Sequence, residues 1–363
     1  MATNGLRKSM DAVVAYGPHD YRLERVPVPE AGPGELILQV EACGICAGDV
    51  KTWQGAPRFW GGSGQPKYVK EPVIPGHEFV GRVAEVGAGI TEFEVGDRII
   101  AEQIVPCGQC RFCRRGQYWM CQRHDVFGFQ FNVNGGMAEY MRIPRESMPY
   151  VHRVPDALPL ETAVLIEPFS CSMHTVIRAN VQIGDVVVLS GAGPLGLGMI
   201  GPLLQRGPDA LVVLDLKENR LERAQAFGAT HTFNPLQVDV DSVIKDMTGG
   251  YGADIYIEAT GAPASVIQGL NILRKLGRFV EMSVFGQPTT VDWSIISDTK
   301  ELDVLGVHLS PHCYPLVISG FERGTIPHQG IVTHKFPLHR FLEGFETMAT
   351  ARDEAIKVVL IPS

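Results

Sequence analysis

The chain lacks a surplus of basic residues: 32 Lys and Arg stand against 40 Asp and Glu, giving a formal net charge of −8. With no positive field to draw in phosphate backbones, no nucleic-acid partner is expected. Long hydrophobic runs free of turn residues are also missing. The nearest, residues 186–205, is almost uncharged but holds five glycines and two prolines. That density suits a Gly-rich loop rather than a lipid-facing helix, so no membrane partner is expected. The opening MATNGLRKSMDAVVAYG has no apolar signal-peptide core, which sets the expectation of a cytoplasmic protein. Evenly spaced cysteines are lacking too. Of the eight, at 43, 46, 107, 110, 113, 121, 171 and 313, four crowd into residues 107–121. Such crowding in a reducing compartment points to metal rather than to disulfides. Repeats and low-complexity tracts are absent.

What is present is enough apolar material for two cores. Hydrophobic residues make up 45% of the 363, charged residues 20%, and mean hydropathy is +0.05, which excludes wholesale disorder. From Ala12 to about Arg153, strand-like runs (ELILQVEACG, FVGRVAEVG, DRIIAEQIV, AEYMRIP) alternate with Gly and Pro clusters, so an all-β barrel or sandwich is expected. From about Ala163, the compact runs VVVLSGAG, ALVVLDL, ADIYIEATG and GRFVEMSVFG alternate with helix-length segments such as NRLERAQAFGA. That pattern predicts a parallel sheet covered on both faces. After about Lys300, HKFPLHRFLEGFETMATAR reads as a helix and AIKVVLIP as a last strand, returned to the first domain. The expected boundaries are 1–162, 163–300 and 301–363.

A dinucleotide cradle is read at the second domain's first strand. Val186–Leu189 leads into Gly191, Ala192, Gly193, Pro194, Leu195 and Gly196, a G-x-G-x-x-G at a strand-to-helix junction. The first glycine allows the tight turn, the second admits the pyrophosphate, and the third lets helix meet strand. The helix N-terminus adds N–H donors and partial positive charge. A chain with 40 glycines yields chance matches, so the weight falls on Asp215, which ends the next strand 19 residues after Gly196. A carboxylate there accepts from ribose hydroxyls and repels a 2′-phosphate, favouring NAD over NADP. Lys217 and Arg220 pull the other way. Interior Pro202 predicts a short or kinked helix.

Cys107, Cys110, Cys113 and Cys121 form C-x2-C-x2-C-x7-C. Four thiolates can close a tetrahedron around Zn²⁺ at about 2.3 Å, a structural site with no open position. An iron–sulfur cluster needs a different spacing. Arg111, Arg114, Arg115 and Arg123 around this lobe (about 105–123) read as a solvated face.

Taken in order, Gly44-Ile45-Cys46-Ala47-Gly48-Asp49, Gly76-His77-Glu78, the four-cysteine lobe, Glu167-Pro168, GAGPLG and Asp215 resemble the zinc-dependent medium-chain dehydrogenases over nearly the whole chain. Glu167-Pro168, where alcohol dehydrogenases have cysteine, resembles the polyol branch and its threonine dehydrogenase kin. The resemblance implies an α/β chain with an all-β part, a GroES-like β-barrel catalytic domain and a Rossmann doubly wound sheet. It implies one catalytic and one structural Zn²⁺, NAD, and a homo-oligomer, dimer or tetramer. The catalytic ligands it implies are Cys46, His77, Glu78 and Glu167, with one carboxylate direct and the other through water. Cys43, Cys171 and Cys313 are assigned to the core. Asp49 either braces His77 and the cysteine loop or simply caps a helix.

The implied activity is oxidation of a secondary alcohol of a small polyol, tetritols such as erythritol or threitol foremost, to a ketose. Alternatives are a threonine 3-dehydrogenase-like enzyme, a simple-alcohol dehydrogenase, a zinc-free quinone reductase and a non-enzymic zinc-binding protein that keeps the fold. Two features depart from the family. Gly48 stands where a Ser or Thr hydroxyl usually relays the alcohol proton, and Lys51 where many relatives have His, leaving water, Lys51 or Glu167 to carry it. The 31 positions from Cys46 to His77 are also more than usual. The extra loop, 57–64, reads either as a wall or lid of the pocket or as an exposed insertion or oligomer contact. Trp53, Phe127 and Phe129 are pocket candidates with core packing as the alternative.

Overall fold

The computed structural model describes residues 7–62, 64–350 and 354–362. Two units emerge: Met1–Glu167 with Gln329–Ser363, and Pro168–His328.

The first unit is built on a seven-stranded sheet around the strand Leu36–Ile45. One edge of that strand pairs antiparallel with Glu78–Val86 along its full length; the other takes Tyr140–Ile143 and then Lys357–Ile361. Flanked on both edges, the strand is buried at nearly every position, which explains its unbroken apolar run. A hairpin, Ser9–Gly17 with Asp20–Pro27, packs into the same core.

The second unit is a six-stranded sheet, parallel throughout. Its order runs His231–Phe233, Ala210–Leu214, Val186–Ser190, Ala253–Glu258, Leu273–Glu281, Asp303–Gly306. The order reverses beside Val186–Ser190, so the first strand of the unit borders the crevice where such sheets bind ligands. The helix Glu218–Ala226 buries Leu221 and Ala224 against the sheet and turns its charges outward. Segment 186–205 forms a five-residue strand, a glycine turn and the helix Pro194–Leu204, with Pro202 in its last turn. No helix among the described residues is long and apolar enough to cross a membrane.

The chain returns to the first unit at Gln329, not near residue 301. Segment 301–328 supplies a sixth strand, Asp303–Gly306, and the helix Tyr314–Glu322. The strand lies at an open edge with mostly exposed side chains, so it lacks the apolar signature of the others. Likewise His334–Pro337, expected as helix, lies in the strand Val332–Pro337, and the helix begins at Phe341.

Candidate metal centre and cofactor cradle

Strand register gathers the first group of donors. Gly44 lies opposite Glu78 and Cys43 opposite Phe79. Continuing one strand forward to Cys46 and the other back to His77 brings these distant residues together. One donor atom from each of Cys46, His77 and Glu78 lies within 4.8 Å of the others. Cys46 caps the helix Ala47–Trp53: its Sγ accepts from the Gly48 N–H at 3.4 Å, and Asp49 Oδ2 accepts from the Cys46 N–H at 2.9 Å. This is a capping box with sulfur in place of oxygen. Asp49 Oδ1 stands 3.6 Å from His77 Nδ1. Asp49 thus closes the capping box with one carboxylate oxygen, while the other faces His77 Nδ1 just beyond hydrogen-bond distance.

The chemistry of the group fits a cation. Burial alone would lower the His77 pKa, but Asp49, Cys46 and Glu167 hold it well above the ordinary imidazole range. Burial raises the Asp49 pKa. His77 Nδ1 is buried without a hydrogen-bond partner. Anionic donors this close favour positive charge among them, and a metal ion supplies it where a proton otherwise must. Cys43 differs: it is fully buried, and burial pushes its thiol well up, as suits a core residue.

Glu167 stands outside this trio. It lies in the first turn of the helix Ile166–Ala179, and its Oε1 accepts from Gln103 Nε2 at 2.6 Å. Lys51 sits half-buried in the last turn of Ala47–Trp53.

In the 57–64 loop Pro57, Arg58, Gly62 and Gly64 are exposed, but the two aromatic residues pack inward. Phe59 is buried and stacks on Phe129 (centroids 5.6 Å apart, 11° between planes), and Phe129 lies 5.6 Å from the His77 ring. Trp60 Nε1 donates to the Thr52 carbonyl oxygen at 2.7 Å. Phe127 packs edge-on against Phe79 in the core, and Trp53 packs between His19 and Phe345. Of the three pocket candidates, Phe129 is the one whose ring lies against a metal-centre residue among the described residues.

The second donor group is the cysteine lobe. The sulfurs of Cys107, Cys110, Cys113 and Cys121 all lie within 4.8 Å of one another. Backbone amides point at them: Cys107 N–H to Cys121 Sγ at 3.2 Å, Cys110 N–H to Cys107 Sγ at 3.4 Å, and Gln122 N–H to Cys110 Sγ at 3.5 Å. Backbone N–H donors, that of Cys113 foremost, lower the Cys110 pKa to about 6. Four sulfurs with oriented donors fit a closed tetrahedral ion. Tyr118 pins the lobe to the sheet, stacking 4.0 Å from Tyr150 and donating to Glu102 Oε2 at 2.6 Å. Cys110→Ser is expected to speed proteolysis between 107 and 121 at least about tenfold, a local opening made easier by about 1.4 kcal/mol or more. Coenzyme binding should persist; limited proteolysis beside an NADH fluorescence titration checks both.

In the second unit, Gly191 adopts φ +106°, and an added Cβ would sit 2.8 Å from the Ala259 carbonyl oxygen. A Cβ at Gly196 would run into the Gly191 carbonyl oxygen, whereas one at Gly193 meets nothing within 4 Å. That is a cradle: two glycines hold the loop's shape and one leaves room above it. Gly193 caps the helix, with Pro194 at its first position and Leu195 next. Asp215 reaches back into the loop. Its Oδ2 accepts from the Ala192 N–H at 2.8 Å and its Oδ1 from the Lys217 N–H at 3.0 Å, and Arg220 Nη1 lies 3.9 Å away. A carboxylate has about four acceptor positions, so two remain for hydroxyl groups.

Comparison with known proteins gives the family. Residues 32–156 match the alcohol dehydrogenase GroES-like domain and residues 194–322 the zinc-binding dehydrogenase domain. The chain is 50% identical to erythritol/L-threitol dehydrogenase of Mycolicibacterium smegmatis, over 99% of this chain and 100% of that one. With sorbitol dehydrogenase of Bacillus subtilis it shares 31% identity over 99% of each chain. A zinc-binding dehydrogenase from Sinorhizobium meliloti, crystallised with NADP, superposes with a TM-score of 0.88 at 26% identity, covering 98% of this chain and all of the other. The chain belongs to the zinc-dependent medium-chain dehydrogenase family and is an oxidoreductase with a GroES-like and a Rossmann unit.

Sequence reasoning missed Lys357, whose ammonium pairs with Glu78 from 279 positions away, and Gln103, which holds Glu167. A lysine in an otherwise apolar final strand (KVVLI) was the available signal for the first. Nothing in the sequence signalled the second.

Proposed function

We propose that this chain oxidises a secondary alcohol of a small polyol, a tetritol such as erythritol or threitol, to the ketose with NAD as acceptor. The carbinol hydrogen leaves with its electron pair as hydride to NAD⁺, giving NADH, and the hydroxyl proton goes to solvent; the reverse reaction runs on the same groups. The observation that carries the reading is the trio Cys46, His77 and Glu78, in a chain half identical end to end to an enzyme named for erythritol and L-threitol. These residues would hold the catalytic Zn²⁺, with Glu167 as the second carboxylate, and the four lobe cysteines would hold a structural one. Bound zinc supplies Lewis acidity, which lowers the pKa of a coordinated hydroxyl.

The chain's own groups do the rest. The Asp49 carboxylate faces His77 Nδ1 and attracts its positive end, and the Gly48 N–H steadies the Cys46 sulfur. The loop from Gly191 to Gly196 with Asp215 takes the dinucleotide. NAD is favoured because a 2′-phosphate would meet the Asp215 carboxylate, although Arg220 stands near. With no hydroxyl at position 48, Lys51 or Glu167 takes the proton outward. Eight cysteines without a disulfide suit a reducing, cytoplasmic setting. The open edge strand Asp303–Gly306 offers a surface for pairing in a homodimer or homotetramer.

The test is NADH production over erythritol, the threitols, xylitol, sorbitol, threonine and simple alcohols, repeated with NADP. The highest kcat/KM is expected on a tetritol with NAD. Activity on threonine with none on tetritols would overturn the substrate reading.

A further inference from the structure

Lys357 is out of place by the ordinary rules of burial. It opens the last strand, Lys357–Ile361, and both its side chain and that of Glu78 are only 2% exposed. Its Nζ forms an ion pair with Glu78 Oε2 and donates to the Ile45 carbonyl oxygen at 3.3 Å. Ile45 directly precedes Cys46, and Glu78 directly follows His77. The ammonium therefore touches both strands that deliver the metal donors.

Room for this pair is made by Gly44. A Cβ there would overlap Glu78 Oε2 and sit 3.0 Å from Lys357 Cε. Glycine inside a strand costs about 0.5–1 kcal/mol relative to alanine. A buried ion pair likewise gives little net stability compared with apolar residues of the same volume. Two features that do not help the fold thus meet beside the metal donors, which argues that they serve the site instead.

We propose that Lys357 is the positioning residue of the metal centre. Its ammonium is the fixed counter-charge that orients the Glu78 carboxylate toward Cys46 and His77, and its bond to Ile45 fixes the strand end that presents Cys46. Without it, Glu78 becomes an unpaired buried carboxylate free to turn, and the trio loses its geometry. Partners of this kind typically change metal affinity about 10–100-fold when removed. The inference rests on the assignment of Cys46, His77 and Glu78 as a metal centre. It does not depend on which alcohol is oxidised, because its readouts are metal retention and metal spectroscopy.

The experiment compares the full-length zinc-loaded protein with Lys357→Met, Glu78→Gln and the double variant. Zinc release to a chelator is followed, as is the thiolate-to-metal absorption of cobalt-substituted protein. Lys357→Met is expected to release one metal at least about tenfold faster, with an altered cobalt band, while the cysteine-lobe metal stays. Since Lys357 acts through Glu78, the double variant should release metal no faster than Glu78→Gln alone. Should Lys357→Met fail to fold, the double variant, which buries no lone charge, carries the comparison. Wild-type release rate and spectrum in Lys357→Met, or a double variant whose losses simply add, would overturn the proposal. A wild-type protein that binds no metal outside the cysteine lobe would instead remove the centre itself.

Discussion

His77→Ala is expected to lower kcat/KM for alcohol oxidation by about 10⁴ or more while leaving NADH binding intact. Lewis-acid assistance to a departing hydroxyl proton is worth several kcal/mol, and each 1.36 kcal/mol is tenfold in rate. His77 is buried, and its nitrogen donor has no duplicate in the Cys46–His77–Glu78 trio, so its loss is not made good by a neighbour. The cysteine lobe is a separate donor group outside the sheet and should keep a metal of its own. The variant is therefore expected to be folded, to bind coenzyme, to retain one metal, and to be nearly inactive. Metal analysis, NADH fluorescence and steady-state rates on one preparation decide it. Unchanged metal content with unchanged rate would mean that the trio does not hold the catalytic ion.

Gly196→Ala and Gly193→Ala are expected to part ways although both sit in one six-residue loop. At Gly196 the new methyl meets the Gly191 carbonyl oxygen, a backbone atom in a turn already fixed at φ +106°. Nothing there can give cheaply, so the substitution should cost about 3 kcal/mol, the upper end of ordinary overpacking, and weaken NADH binding as well. At Gly193 the methyl meets no protein atom within 4 Å. It occupies only the space assigned to the pyrophosphate, so affinity should fall about tenfold or more with the unfolding temperature unmoved. Thermal unfolding beside a coenzyme titration reads both. Equal destabilisation by the two variants would show that the loop's shape, not its open face, sets the demand for glycine.

What the sequence revealed divides by range. The cradle and the cysteine lobe were readable because their parts lie within 30 residues of one another and each spacing maps onto a local shape: strand, turn and helix N-terminus in one case, a cage of thiols in the other. Cys46, His77 and Glu78 were found through a motif, and only the register of Leu36–Ile45 against Glu78–Val86 explains their meeting. Glu167 was grouped with them by resemblance; its carboxylate acts on His77 from outside the trio while accepting from Gln103. The two edge strands, His231–Phe233 and Asp303–Gly306, were overlooked because exposed edge strands carry no buried pattern, and missing the second displaced the domain return by a strand and the nine-residue helix Tyr314–Glu322. For loop 57–64 the sequence left a wall and a surface insertion equally open. The Phe59–Phe129 stack settles that its aromatic side faces inward.

The chain leaves the first unit after Glu167 and comes back to it only at Gln329. Ribosomal synthesis therefore finishes the nucleotide unit, an unbroken stretch, while the sheet that aligns Cys46 with His77 still lacks Val332–Pro337 and Lys357–Ile361. The central strand Leu36–Ile45 gains Glu78–Val86 and Tyr140–Ile143 early, but its pairing at Cys43–Ile45, next to Cys46, waits for Lys357–Ile361. A chain cut before Val332 is thus expected to keep the parallel sheet of the second unit whole while the sheet around Cys46 lacks two strands.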